Sequence, residues 1–322
     1  MDIDLMTRAE LRGYITRPEI LDCGYDDRDI RAARAIDLLT RIGPGLYALS
    51  ATYEPLTPEK QHLIRCRAVA HRLGDGVVLT HQSAALMHGM PVWGLDLMEV
   101  QLTRRDGKRG RHEAGVSHHI GNIDDTQIVE VDGVLTAKPA RTVWEVACAG
   151  ESESGLVTVD AALHDGLVSH EGLLEVAGSF AHWQGSRSAR LALSLADGRS
   201  ESPGESRARH LFWRAGIPSP DLQFRVVGRD GHIIARTDFA WELYRHLAEF
   251  DGRIKYDGTF GDAGFATVFG EKKREDLVRA EMWGLTRLTW ADLDATVARA
   301  TAYRVKADLG RSRSTYGRTI IA

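Results

Sequence analysis

The residues with the clearest capacity for chemistry are acids set where acids are costly. Asp238 falls in a segment, 233–241, with the β-branched and aromatic character of a strand. Glu249 and Asp251 fall in the next such segment, 247–255. There Glu249, Asp251, Arg253 and Lys255 alternate with Phe250 and Ile254, so a period of two sets the four charges on one face and the apolar pair on the other. Carboxylates within strands otherwise suited to burial need compensation. A divalent cation supplies it: Mg²⁺, or Mn²⁺ in its place, takes hard oxygen ligands and sits against phosphates. An Asp on one strand and a Glu-x-Asp on its hairpin partner would converge such oxygens, where the ion could activate water for phosphodiester hydrolysis. Lys255 or Arg253 would orient that water or neutralise the developing charge. The same spacing also serves an exposed face on which Glu249 and Asp251 pair with Arg253 and Lys255. Spacing alone leaves the two alternatives even.

These strands need a scaffold, and the flanking sequence outlines one. Asp197-Gly198-Arg199-Ser200-Glu201-Ser202-Pro203-Gly204 is rich in breakers and small polar residues, which marks a domain boundary. A helix is predicted over 205–215, stopped by Gly216 and Pro218, then a strand over 223–227 and the turn Gly228-Arg229-Asp230-Gly231.

The first fifty residues predict a different unit. Segments 8–15 and 18–23 have helical character, Gly24 breaks the chain, and Asp26 with Asp29 three positions on resembles a capping box. The helix it opens, 27–35, turns Ile30 and Ala33 inward and carries Arg28, Arg31 and Arg34 at three-residue spacing. Two strands, 38–42 and 46–49, flank Gly43-Pro44-Gly45. Helix, turn, helix and hairpin is the layout of a winged helix-turn-helix, whose second helix enters the major groove of double-stranded DNA. Arg28, Arg31 and Arg34, with Arg41 on the hairpin, are the candidate donors to phosphates and guanine edges. A small helical domain used for protein contacts is the alternative.

The middle, 58–149, alternates helix and strand, and 157–195 is helical in pattern. His81, His88, His118 and His119 have no acidic or cysteine partner at ligand spacing and are expected to be structural. Arg104, Arg105, Lys108, Arg109 and Arg111 form a second basic stretch. At 322 residues, 43% hydrophobic and 27% charged, the chain has the size of two or three globular domains. A net charge of −4 argues against indiscriminate polyanion binding. Cys23, Cys66 and Cys148 lie far apart with no paired spacing, which fits a reducing cytoplasm. Neither a signal-peptide layout nor an apolar run of membrane-spanning length is present.

Two resemblances join these segments. Asp238-Phe239, followed by Glu249-Phe250-Asp251-Gly252-Arg253-Ile254-Lys255, resembles the core of the PD-(D/E)XK nuclease superfamily, in the branch related to very-short-patch-repair endonucleases. Ser202-Pro203-Gly204-Glu205 with Arg207 resembles that branch's opening helix, and segment 274–283, Gly284 and strand 285–289 resemble its closing helix and strand. The resemblance implies Glu205, Asp238, Glu249 and Asp251 as ligands of Mg²⁺ or Mn²⁺. Asp251 occupies the superfamily's lysine position, and Lys255 stands near the branch's usual histidine. That departure leaves open either a working endonuclease, with Lys255 as the substitute base, or a nuclease-like fold that only binds. At the front, Gly24-Tyr25, Gly45-Leu46-Tyr47, Thr80-His81-Gln82-Ser83-Ala84-Ala85-Leu86-Met87-His88-Gly89 and Thr136-Ala137-Lys138-Pro139-Ala140-Arg141-Thr142 resemble antitoxin-type transcriptional regulators of the AbiEi group. That implies double-stranded DNA and a cognate toxin protein as partners, and a homodimer by analogy. The expected fold is α/β, or α+β overall, in three domains: a winged helix over 1–54, a mixed α/β domain over 55–196, and a nuclease-like α/β domain over 197–322.

Overall fold

A computed structural model describes residues 3–105, 112–119, 121–252 and 276–317. The chain forms two compact units, Met1–Thr158 with Gly166–Leu193, and Val159–Asp165 with Ser194–Ala322. Both are mixed α/β.

The first unit opens with α1 (Ile3–Arg12), β1 (Ile15–Thr16), α2 (Arg17–Asp22), α3 (Asp27–Ala35), β2 (Leu39–Gly43) and β3 (Leu46–Leu49). The three strands form an antiparallel sheet in the order β1-β3-β2. α2 is only six residues long and depends on its caps. Thr16 accepts from the Glu19 amide while Glu19 accepts from the Thr16 amide, and Pro18 occupies the first turn. Asp26 and Asp29 cap α3 reciprocally in the same way, as their spacing implies. α1 lies earlier than the predicted helix over 8–15. Gly13, at φ 80, ends the helical path, and the β-branched Ile15 and Thr16 pair instead with Tyr47 and Leu46. Leu5, Ile15, Ile20, Ile30, Ala33 and Leu49 make the core beneath these elements.

The unit continues through α4 (Ser50–Tyr53), α5 (Pro58–Leu73), β4 (Val77–Leu79), α6 (His81–Met87), β5 (Val100–Arg104), β6 (His112–Glu113), β7 (Val116–His119), β8 (Ile128–Val131), β9 (Val134–Ala137), α7 (Pro139–Ala149), α8 (Ser152–His164), α9 (His170–Ser179) and α10 (Ser186–Leu195). α8 and α10 run on into residues of the second unit. The sheet is mixed, in the order β6-β7-β5-β4-β9-β8. Tyr14 and Leu46 of the winged helix share one core with Cys66, Val69, Leu79, Leu102 and Val116.

The second unit contains α11 (Pro203–Arg214), β10 (Asp221–Val227), β11 (Ile233–Trp241), β12 (His246–Asp251), a helical segment over 276–280, β13 (Gly284–Thr289) and α12 (Ala298–Tyr316). The sheet order is β10-β11-β12-β13; the first three strands are antiparallel and β13 is parallel to β12. A parallel neighbour requires a crossover, and the segment over 276–280 lies on it. One core joins Phe212, Phe239, Trp241, Ala248, Leu288 and Val305; the other joins Val226, Ala240, Leu247, Val278 and Trp283. Phe212 meets Phe239 and Trp241 edge-on at 5.4 and 5.2 Å. No described helix is long and apolar enough to cross a membrane.

α11 approaches β12 so closely at Gly204 that an added Cβ would lie 1.9 Å from the Phe250 ring. Gly204→Ala is therefore expected to destabilise the second unit by about 1–3 kcal/mol through overpacking. Urea denaturation measures this, and an unchanged midpoint would mean that α11 is not seated on Phe250.

Candidate functional site

α3 is anchored from below by Ile30 and Ala33, which leaves Arg28, Arg31 and Arg34 exposed. Arg41 is exposed on β2, where its Nε donates to the Gly43 carbonyl at 3.2 Å. Three acids stand at the start of α3, and each is committed within the domain. Asp26 and Asp29 are consumed by capping. Asp27 is gripped by Arg17, whose Nε and Nη2 donate to its two oxygens at 2.8 and 2.7 Å. That hydrogen-bonded pair holds the Asp27 carboxyl below its ordinary range. It also ties the first residue of α2 to the first residue of α3. Among the described residues, no salt bridge occupies Arg28, Arg31 or Arg34, although Arg31 feels Asp27 electrostatically. Of the second basic stretch, Arg105 pairs with Asp125, while Lys108, Arg109 and Arg111 lie outside the described residues.

In the second unit Glu205 sits in the first turn of α11, 7% exposed. Its carboxylate accepts from Ser202 Oγ at 2.8 Å, from the Glu201 amide at 3.0 Å and from Gln223 Nε2 at 3.0 Å. Burial pushes its pKa up, and the neighbouring Asp238 charge adds to the rise. Asp238 Oδ2 accepts from the Phe250 amide at 2.7 Å, clipping β11 to β12 beyond their last ladder pair, Phe239 with Ala248. Ala248 and Phe250 belong to the Phe212 core, so Glu249 and Asp251 fall on the opposite strand face, in register with Arg287 and Thr289 of β13. Glu205 and Asp238 lie within electrostatic reach of each other. Among the described residues, no group of three or more His, Cys, Asp or Glu side chains is gathered closely enough to hold a metal ion. Lys255 and Arg253 lie outside the described residues.

Sequence spacing missed a third cluster. Glu145, 64 residues beyond His81, accepts from the His81 amide at 3.0 Å through Oε2 and from Arg141 Nε at 2.8 Å through Oε1. Arg141 lies over the rings of Phe180 and Trp183 and donates to the Asn122 carbonyl. His81 has a left-handed backbone, φ 52, and stacks on His119 at 3.9 Å. The available signal was an i,i+4 Arg–Glu pair on a helix whose other residues, Val143, Trp144, Val146 and Ala147, are apolar. The carboxylate, the guanidinium and the His81 amide satisfy one another, while His81 Nδ1 is buried without a hydrogen-bond partner among the described residues; the cluster is a polar core joining α6 to α7.

Residues 4–50, the winged helix, match the family described as "Transcriptional regulator, AbiEi antitoxin". Two Mycobacterium tuberculosis proteins, Uncharacterized protein Rv2248 and Uncharacterized protein MT2308, are each 32% identical to the chain over 281 residues, covering 85% of it and 94% of themselves. The chain belongs to their family. Within the chain, residues 4–50 are an AbiEi-type regulator domain. The crystal structure of RV2827C from the same organism aligns with 64% of the chain and 78% of its own, at 17% identity and a TM-score of 0.40.

Burial lowers His62, His81 and His246 to about 4 from an ordinary 6.5. Between those values the unfolded chain takes up protons that the folded chain refuses. Each histidine's contribution is whole above pH 6.5 and is lost as pH falls toward 4, on the order of 3 kcal/mol apiece. Imidazole NMR titration is expected to show all three neutral down to about pH 5. Midpoints near the ordinary value would place these rings in water.

Proposed function

We propose that this protein is a DNA-binding transcriptional regulator of the AbiEi antitoxin type. α3 would lie in the major groove of double-stranded DNA and the β2–β3 hairpin against the flanking backbone. The observation that carries the proposal is the exposed row Arg28, Arg31 and Arg34 on a helix whose N-terminal acids are already committed. Guanidinium forks suit phosphates and guanine edges, and Arg41 extends the basic surface onto the wing. A cognate toxin protein and a second copy of the chain are the protein partners that the antitoxin assignment suggests. Replacing Arg28, Arg31 and Arg34 together by Ala is expected to weaken duplex binding and flatten its log–log salt dependence by about 0.9 for each phosphate contact removed. Fluorescence anisotropy at several salt concentrations measures both, and an unaltered slope would remove these arginines from the interface.

A second function, metal-dependent cleavage of DNA, is favoured by the buried Glu205. All its hydrogen-bond donors are neutral, and the Asp238 charge adds to the rise in its pKa. The order of helix, three antiparallel strands, crossover helix and parallel strand also follows the nuclease resemblance. The oxygens of Glu205 and Asp238 have the hardness that Mg²⁺ or Mn²⁺ prefers, with Glu249 and Asp251 as the further proposed ligands and Lys255 as the proposed base. When bound, the ion would supply an activated water; Glu205 and Asp238 would hold it through their carboxylate oxygens. With Mg²⁺ or Mn²⁺ the protein is expected to nick plasmid DNA, and Asp238→Ala and Glu249→Ala each to abolish nicking in folded protein. Intact plasmid with the unaltered protein would leave regulation by binding alone.

A further inference from the structure

We propose that the first unit carries an effector site for a nucleoside monophosphate, at a cavity between the end of α1, α5 and the β8–β9 turn. The cavity has a volume of about 600 Å³, within the range of small-molecule sites. Its chemistry comes from Arg12, Tyr14, Arg67, His71, Asp75 and Asp132. Arg12 Nη2 is bound to Glu19 and Arg67 Nη2 to Asp132, so each guanidinium keeps further N–H groups for another acceptor. Arg12 Nε is itself buried with no hydrogen-bond partner among the described residues, so an incoming acceptor meets the outer N–H groups of the guanidinium. A phosphate is such an acceptor, and two arginines are its usual cradle. The apolar and aromatic part of the wall suits a flat ring: His71 packs against Tyr14 with centroids 5.8 Å apart, beside Val77, Val134 and Leu135. Asp75 and Asp132 supply acceptors for ribose hydroxyls or an exocyclic amine.

The site connects directly to the helix-turn-helix, and its regulatory role rests on the DNA-binding function proposed above. Arg12 holds Glu19; Glu19 caps α2 through the Thr16 amide at 2.8 Å and hydroxyl at 2.9 Å. The next residue, Arg17, holds Asp27 at the start of α3. A phosphate that draws Arg12 away from Glu19 loosens the cap that seats α2, and through Arg17 the seat of α3. Nucleotide and DNA therefore oppose each other, and by linkage each weakens the other by the same factor.

Calorimetric titration of the full chain with AMP, GMP, CMP and UMP tests the site. At least one is expected to bind with unit stoichiometry, more tightly than inorganic phosphate or the free nucleoside. Arg67→Gln, which removes only a half-exposed ion pair and lies outside the α2 cap, is expected to weaken that binding about tenfold or more. The bound nucleotide is expected to lower duplex affinity at least about fivefold in the unaltered protein and not in Arg67→Gln. Absence of heat with all four nucleotides, or phosphate binding as tightly as any of them, would overturn the assignment. Duplex binding that persists without nucleotide binding defeats this inference alone. Nucleotide binding without any duplex binding defeats the regulator function instead.

Discussion

Removing a carboxylate from water is the constraint to which both units are fitted. Three carboxylates are buried among the described residues, Glu145, Asp160 and Glu205. Glu145 is balanced by Arg141 and the His81 amide. Asp160 is balanced by Arg209 at 2.6 Å, the Ser206 hydroxyl at 2.7 Å and the Asp197 amide at 2.8 Å. A buried pair of this kind adds little net stability, yet loss of one partner costs about 3–5 kcal/mol because the other is stranded. These buried carboxylates therefore fix which elements meet: Glu145 joins α7 to α6 through the His81 amide, and the Asp160–Arg209 pair joins the end of α8 to α11. Glu205 is the exception. It is held by neutral donors, and the Asp238 charge adds to the rise that burial gives its pKa.

The winged helix follows the same logic at smaller scale. Its helices are too short to persist alone, so their geometry rests on the two reciprocal caps, the Arg17–Asp27 clip and the apolar floor of Ile20, Ile30 and Ala33. Those devices occupy the negative charge near the start of α3 and leave the row of arginines as its outward chemistry. Because Tyr14 and Leu46 continue into the core beneath the larger sheet, the elements proposed to face DNA share a core with the domain that follows them.

Local chemistry is legible in the sequence. The Asp26–Asp29 cap, the inward Ile30 and Ala33, the breaker-rich hairpin and the separation of Glu249 and Asp251 from Phe250 all arise from spacing within a few residues. Where tertiary pairing decides, spacing was silent. Ile15 left the predicted helix because β3 offered it a strand partner. Glu145 met His81 only because α6 and α7 pack together, and Gln223 reached Glu205 only because β10 lies beside α11's first turn. The close approach of Gly204 to Phe250, which seats α11 on β12, is likewise encoded by no periodicity.

The central claim is that α3 and the wing form the DNA-facing surface of this protein. Hydrogen exchange of the full chain with and without a DNA duplex tests it most directly, because it surveys every backbone amide at once. The account predicts new protection concentrated over 26–35 and 41–46, with the cores of both sheets unchanged. Protection confined to the second unit, with α3 exchanging as it does in the free protein, would contradict it.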